Sequence, residues 1–241
     1  MIKKTIPVNG GKLTIQIPTQ LNELRLGQLM QMQDTSNLTD LDAIHILSGV
    51  PLQELKNVSS FMDLQQFSEP IATLAHEIKY LYNAEAIPKQ ITFLIEGKPR
   101  TVQVIKNLSV EPAGAFLAAR DLIADEINAH INQYGEADWK DQFNPSLKLC
   151  SQILAHYFYT RATGMPYDEY QAAAFTEQVE QLPVTDALPI ARYFFLSYPN
   201  LSKPKTGFWQ HLLQRLNKKQ ASASLKNSDT SMPSMPWPVV M

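Results

Sequence analysis

Two stretches decide the fold: KTIPVNGGKLTIQIPTQLNELRLGQLMQMQD (Lys4–Asp34) and ITFLIEGKPRTVQVIKNLSVEPAGAFLAARD (Ile91–Asp121). Set 87 positions apart, Thr5, Gly10, Thr14, Gln16, Leu21, Gly27 and Asp34 meet identical residues at Thr92, Gly97, Thr101, Gln103, Leu108, Gly114 and Asp121. The apolar neighbours agree too: Ile6 with Phe93, Ile15 with Val102, Ile17 with Val104, Leu29 with Phe116. At an offset of 115 the later part follows, Gly49–Glu54 (GVPLQE) meeting Gly164–Glu169 (GMPYDE), and Gln66, Ala72 and Leu81 meeting Gln181, Ala187 and Leu196. A recurring unit of this kind governs the whole architecture. The difference between the two offsets puts 28 extra residues in the second copy, within Leu122–Leu149.

Each copy begins with a hairpin pattern. Ile2–Val8 and Lys12–Ile17 are β-prone runs joined by Asn9-Gly10-Gly11, which supplies the positive φ a tight turn requires. Gln90–Ile95 and Arg100–Ile105 repeat them around Glu96-Gly97-Lys98-Pro99. A lone hairpin is marginal in water. Either each packs on helices, or the two pair into one four-stranded antiparallel sheet that protects their edges.

After each hairpin the apolar period lengthens to that of a helix. The pattern predicts helices over a first segment containing Leu24, Leu26 and Leu29 and its counterpart Glu111–Tyr134, with Pro112 at the first helical position and Gly135 ending it. Thr39 caps a helix that Ser48-Gly49 stops, and Pro51–Leu55, Asp63–Phe67 and Pro70–Tyr82 follow. The second copy reads Leu147–Thr163, Tyr167–Gln181 and a helix from Thr185 to Tyr198. Gly207–Lys219 is a last amphipathic helix with Phe208, Leu212, Leu213 and Leu216 on one face.

The fold class expected is therefore α+β and mostly helical, with two repeated hairpin-plus-helices units. Residues 1–87 form the first unit and 88–200 the second, with its insertion near 122–149. Residues 201–219 form the C-terminal helix and 220–241 a low-complexity extended tail. That tail lacks the apolar content to fold alone, but its proline-spaced Met232, Met235 and Trp237 suit an extended segment docking in a groove.

A net charge of −2 and pI near 6.2 leave no basic footprint for nucleic acid. No apolar run is long enough for a membrane span, and Pro7 with Asn9-Gly10-Gly11 breaks the N-terminal apolar stretch, so no signal peptide is read there. One cysteine, Cys150, excludes an internal disulfide. The expectation is a soluble intracellular protein.

Catalytic chemistry finds little support. His45, His76, His130, His156 and His211 show no i,i+4 pair and no HExxH. Cys150 lies in an apolar run and reads as a buried thiol. Acid pairs such as Asp121/Asp125 read as solvated faces or helix-start charges. No glycine-rich phosphate loop or nucleophile elbow occurs. No catalytic, metal or cofactor site is expected.

The aromatic clusters Tyr157-Phe158-Tyr159 and Tyr193-Phe194-Phe195 with Tyr198 both lie in the second copy. Consecutive aromatics on one helix cannot all face one core, so some should point outward as partner anchors. Partner-binding candidates are Tyr157, Tyr198, Trp209, Met232, Met235 and Trp237, with Trp139 a further one.

The stretch Ile17–Leu29 (IPTQLNELRLGQL) followed by Ala43–Leu55 (AIHILSGVPLQEL) resembles tail-assembly and small virion proteins of bacteriophages that infect Bacteroidetes-type hosts. The likeness covers mainly Ile2–Leu81, and its motifs mark a strand-to-helix turn and a helix–Gly–Pro–helix joint. The aromatic of that pattern is missing at Gln20-Leu21. The resemblance implies a non-enzymatic morphogenesis protein: a tail, neck or connector subunit, or a chaperone-like binder of the tape-measure protein. Its place would be the virion or the cytoplasm of the infected host, and its partners other phage proteins or copies of itself. It carries over no functional residue. The alternative is a cytoplasmic adaptor or regulatory module unrelated to phage.

Overall fold

The computed structural model describes residues 1–78, 86–106, 111–135 and 145–197. The hairpin β1 (Ile2–Val8) and β2 (Gly11–Ile17) leads through a 3-10 turn at Leu21–Glu23 into α1 (Leu26–Asp34), α2 (Asp40–Ser48), α3 (Leu52–Lys56), α4 (Phe61–Gln65) and α5 (Ser68–Ile78). The second hairpin, β3 (Gln90–Ile95) and β4 (Lys98–Gln103), leads into α6 (Ala113–Tyr134), α7 (Leu147–Thr163), α8 (Glu169–Ala174), α9 (Thr176–Val179) and α10 (Val184–Ser197). The element order is the same in both units.

The repeat reaches individual bonds. Thr5 and Thr14 face each other across the first hairpin with hydroxyls 3.0 Å apart, and Thr92 and Thr101 do the same in the second. Ser48 Oγ donates to Ile44 O at 2.5 Å and accepts from Val50 N at 3.1 Å. Thr163 Oγ1, its equivalent, donates to Tyr159 O at 2.7 Å and accepts from Met165 N at 3.1 Å. The following glycines stop both helices in one left-handed conformation, φ 73° at Gly49 and 75° at Gly164.

The 28 extra residues are partly helix. α1 has nine residues and α6 has 22, while α2 has nine and α7 has 17. Glu126 on α6 accepts from Ser146 N at 2.6 Å and Ser146 Oγ at 2.9 Å, clasping the start of α7 to the longer helix.

The hairpins do not pair with each other: they are two separate two-stranded sheets. Each instead lays its apolar face on its own unit's helices, burying Ile6, Ile15 and Ile17 in one and Ile91, Phe93 and Val102 in the other. The turns are tighter than the sequence pattern suggests, Asn9-Gly10 and Glu96-Gly97, the latter at φ 50° and 74°. Other boundaries shift slightly. Pro112 is the cap rather than the first residue of α6, and Tyr167–Gln181 is broken at Phe175 into α8 and α9.

The units share one hydrophobic core, in which Leu24, Leu26, Leu29 and Phe67 join Phe158, Val184, Ile190 and Phe194. A backbone seam reinforces it. Leu26 N and Gly27 N donate to Leu182 O and Glu180 O, and Val184 N donates to Leu24 O, all at 2.9 Å. Arg25 reaches Gln181 Oε1 at 2.6 Å beside it. Gly27 allows this close approach: a Cβ there would lie 3.1 Å from Glu180 Cβ and 3.3 Å from Glu180 O, tighter than ordinary contact.

Candidate functional site

Among the described residues a chain of polar contacts centres on α7. This helix is surrounded by α6, α8, α9, α10 and the second hairpin, and Leu149 through Leu154 and on to Tyr159 are almost continuously buried. Tyr157 and Arg161, one turn apart, share a face. The Arg161 guanidinium lies 4.3 Å from the Tyr157 ring centroid and donates through Nη1 to its hydroxyl at 2.6 Å. That hydroxyl also accepts from Ile105 N at 2.8 Å and donates to Ile105 O at 2.7 Å. Its one donor and two acceptor positions are thus all used, pinning the chain just after β4 onto α7.

Three polar atoms of this region, Arg161 Nη2, Glu111 Oε1 and Thr160 Oγ1, are buried without a hydrogen-bond partner. Burial pushes the Glu111 carboxyl up to about 7, with the Arg161 charge only partly pulling it back. Burial also raises the Tyr157 phenol, opposed mainly by Arg161. Glu111 therefore offers an unbonded acceptor and Arg161 an unbonded cationic donor, the two close enough for their charges to interact. The Glu111 carboxyl changes charge close to neutrality.

Next to it, His156 Nδ1 lies 2.9 Å from Tyr167 Oη. Burial lowers the His156 pKa, against the opposing pull of Glu169. A Cβ on Gly114 would come within 2.7 Å of the Tyr167 ring, so this glycine lets Tyr167 lie down against α6. Gly27 and Gly114 are repeat equivalents that admit different neighbours.

The repeat shows what is new here. Glu111 and Arg161 fall on Leu24 and Ile46 of the first unit, which are 0% and 9% exposed. A charged pair stands in the second unit where the first has two aliphatic side chains. Sequence reasoning passed over Glu111 and Arg161. The substitution of charge for apolar at matching positions was the signal that could have found them.

Of the partner-binding candidates, only Tyr157 lies within the described residues, and it is a core residue, 3% exposed. The expectation that some of the consecutive aromatics point outward fails on α7, where Phe158 and Tyr159 are buried too. The reason is that a helix packed on every side has no outward face. Tyr157 meets Phe158 and Phe194 edge-on at 4.4 and 4.5 Å. Tyr193 is half-buried, its hydroxyl donating to Lys106 O. Trp139, Tyr198, Trp209, Met232, Met235 and Trp237 lie outside the described residues, as do His211 and the predicted helix Gly207–Lys219.

Cys150 is buried, and burial followed by the Glu126 charge raises its thiol well above the ordinary range. It is six residues from His156 on one helix, on a different face. Among the described residues no group of three His, Cys, Asp or Glu side chains is placed to hold a metal ion, and no helix is long and apolar enough to cross a membrane. No family model, curated protein or solved structure matches the chain.

Proposed function

We propose that the chain is a non-enzymatic assembly protein working by protein–protein association, of the bacteriophage tail or virion class that Ile17–Leu55 resembles. It would serve as a tail, neck or connector subunit or as a chaperone-like binder of the tape-measure protein. The observation that carries this reading is the doubled unit itself, two equivalent blocks held by a shared core and a backbone seam. Such a body supports contact surfaces. Large apolar side chains stand on its outside, with Phe61, Met62 and Tyr170 at 62%, 72% and 86% exposure. The proline-spaced sequence with Met232, Met235 and Trp237 adds anchors of the kind that fold onto a partner.

Mass spectrometry of purified particles and pull-down from infected cells test it. Association with particles or with a tail protein is expected, and deleting Lys226–Met241 should weaken it while leaving the far-UV dichroism unchanged. Particle incorporation and pull-down both unaffected by that deletion would remove the tail from the proposal. The absence of any phage partner would remove the phage assignment.

One observation favours a second reading, an adaptor or regulatory binding module unrelated to phage. Glu111 Oε1 and Arg161 Nη2, both unbonded and close enough for the Arg161 charge to act on Glu111, suit a small donor–acceptor group. Ligand-dependent thermal stabilisation that vanishes in Arg161→Met would support it.

A further inference from the structure

The two hairpins, matched bond for bond inside, differ at their outer edges. In the first, Pro7 and Lys12 face each other, as do Leu94 and Pro99 in the second. Proline has no N–H, so neither pair exchanges ladder hydrogen bonds. In an antiparallel pair, the alternate residues Lys3, Thr5 and Pro7 on β1, and Gln90, Thr92 and Leu94 on β3, therefore aim their backbone groups away from the partner strand.

On β1 this outer row is guarded three times. Lys3 and Pro7 are residues that blunt edges. The segment Asn57–Ser59 also covers its turn end, with Ser59 N donating to Pro7 O at 3.2 Å, Asn9 N donating to Asn57 O at 3.0 Å, and Val8 bridging Val58. The other strands carry guards as well, Lys12 on β2 and Pro99 on β4.

β3 has none of these. Its sequence, Gln90-Ile91-Thr92-Phe93-Leu94-Ile95, holds no charge and no proline. The counterpart of Asn57–Ser59 is Ala172–Ala174, which is wound into α8. No backbone bond reaches Thr92 or Leu94 from outside the hairpin among the described residues. The side chains of Gln90, Thr92 and Leu94 are exposed, Leu94 at 61%.

We propose that this edge pairs with the same edge of a second copy, β3 against β3 about a twofold axis, joining two hairpins into a four-stranded antiparallel sheet β4-β3-β3-β4. Charge favours this occupant. Pairing a strand antiparallel to itself sets residues near the axis against their own kind, and like charges opposed across strands are destabilising. β3 opposes none wherever the axis falls along it, whereas β1 opposes lysines when the axis falls at Lys3 or Lys4, and with the axis on Thr5 it sets Lys3 against Pro7, which has no donor to offer. With Thr92 on the axis, Gln90 of each copy faces Leu94 of the other. An isologous contact of this kind closes at two copies. The proposal names a partner within the association reading and rests on it only in that sense: a monomeric chain that still enters particles overturns the pairing alone.

The test is the mass of the full chain in solution, by light scattering or sedimentation over a range of concentrations, together with disulfide trapping. Wild type should approach twice 27.2 kDa as concentration rises. Leu94→Pro removes the outward donor and reproduces the proline that the first unit carries at its matching Pro7, so the fold should hold. Leu94→Lys provides a second variant that keeps every backbone group. Both should weaken self-association at least about tenfold, with unchanged dichroism. Thr92→Cys should give a cross-linked dimer on mild oxidation, while Thr5→Cys at the matching site should not, and the buried Cys150 stays out of the reaction. A chain monomeric at all concentrations, a dimer indifferent to both Leu94 variants, or equal trapping by the two cysteines would overturn the proposal. So would a monomer whose Thr92 and Leu94 amides gain exchange protection only on adding an extended peptide, which would assign the edge to a peptide ligand instead.

Discussion

Replacing Glu111 by glutamine should make the protein more stable above neutral pH and leave it nearly unchanged below pH 5. In the fold the carboxyl is raised from 4.5 to about 7, so the native state holds a proton that the unfolded chain has already released. The contribution is fully present below pH 4.5 and is lost as pH rises through 7. One pKa unit corresponds to ~1.4 kcal/mol, so the rise from 4.5 to about 7 sets an upper bound of ~3.5 kcal/mol. Glu111 is only partly buried, and screening by solvent brings this to about 2 kcal/mol. The glutamine side chain keeps the shape and carries no titrating proton, so subtracting the variant's profile removes every other group. The assay is urea unfolding of both proteins at pH 5, 6, 7 and 8, followed by dichroism. The difference should open between pH 5 and 8 in favour of Glu111→Gln. Arg161→Met, which removes the cation holding Glu111 down, should move the wild-type window to higher pH. Parallel profiles for wild type and Glu111→Gln across this range would refute the argument that Glu111 is desolvated.

Gly27→Ala should cost ~1–3 kcal/mol, because its Cβ presses on Glu180 backbone as well as side chain and pries at the seam. Gly49→Ala should cost about 1 kcal/mol for a different reason, a left-handed φ with open space around it. Thermal unfolding of both separates the two mechanisms, since a further Glu180→Gly should relieve the side-chain part of the first and none of the second. Phe158→Ala, at a fully buried ring between Phe93 and Tyr157, should cost ~3–5 kcal/mol in the same assay. Cys150 in the native protein should react with a thiol reagent no faster than global unfolding exposes it, and quick labelling at neutral pH would contradict its burial.

Much of the fold was legible because repetition supplied a second measurement of each element. The hairpins, the Gly49 and Gly164 stops and the helix–Pro–helix joints were readable from local chemistry, since glycine at positive φ and proline at helix starts act within a few residues. Tertiary facts were not. Nothing local says that Leu24–Gly27 pairs with Glu180–Val184, or that α7 is enclosed so completely that Tyr157, Phe158 and Tyr159 all lie inward. The polar cluster escaped for the same reason. Glu111 looks like an ordinary charge near a helix start, and only its neighbours bury it. The bare edge of β3 was half visible, in a strand without charge or proline, but its exposure depended on Ala172–Ala174 being helical.

The seam has a consequence for how the chain comes into being. Its two sides lie 156 residues apart, counted from Arg25 to Gln181, and closing so distant a contact is slow for any polypeptide. During synthesis the amides of Leu26 and Gly27 and the carbonyl of Leu24 wait for water to be replaced until Val184 has left the ribosome. The first unit is thus born with a gap along its flank that Glu180–Val184 of its own duplicate comes to fill.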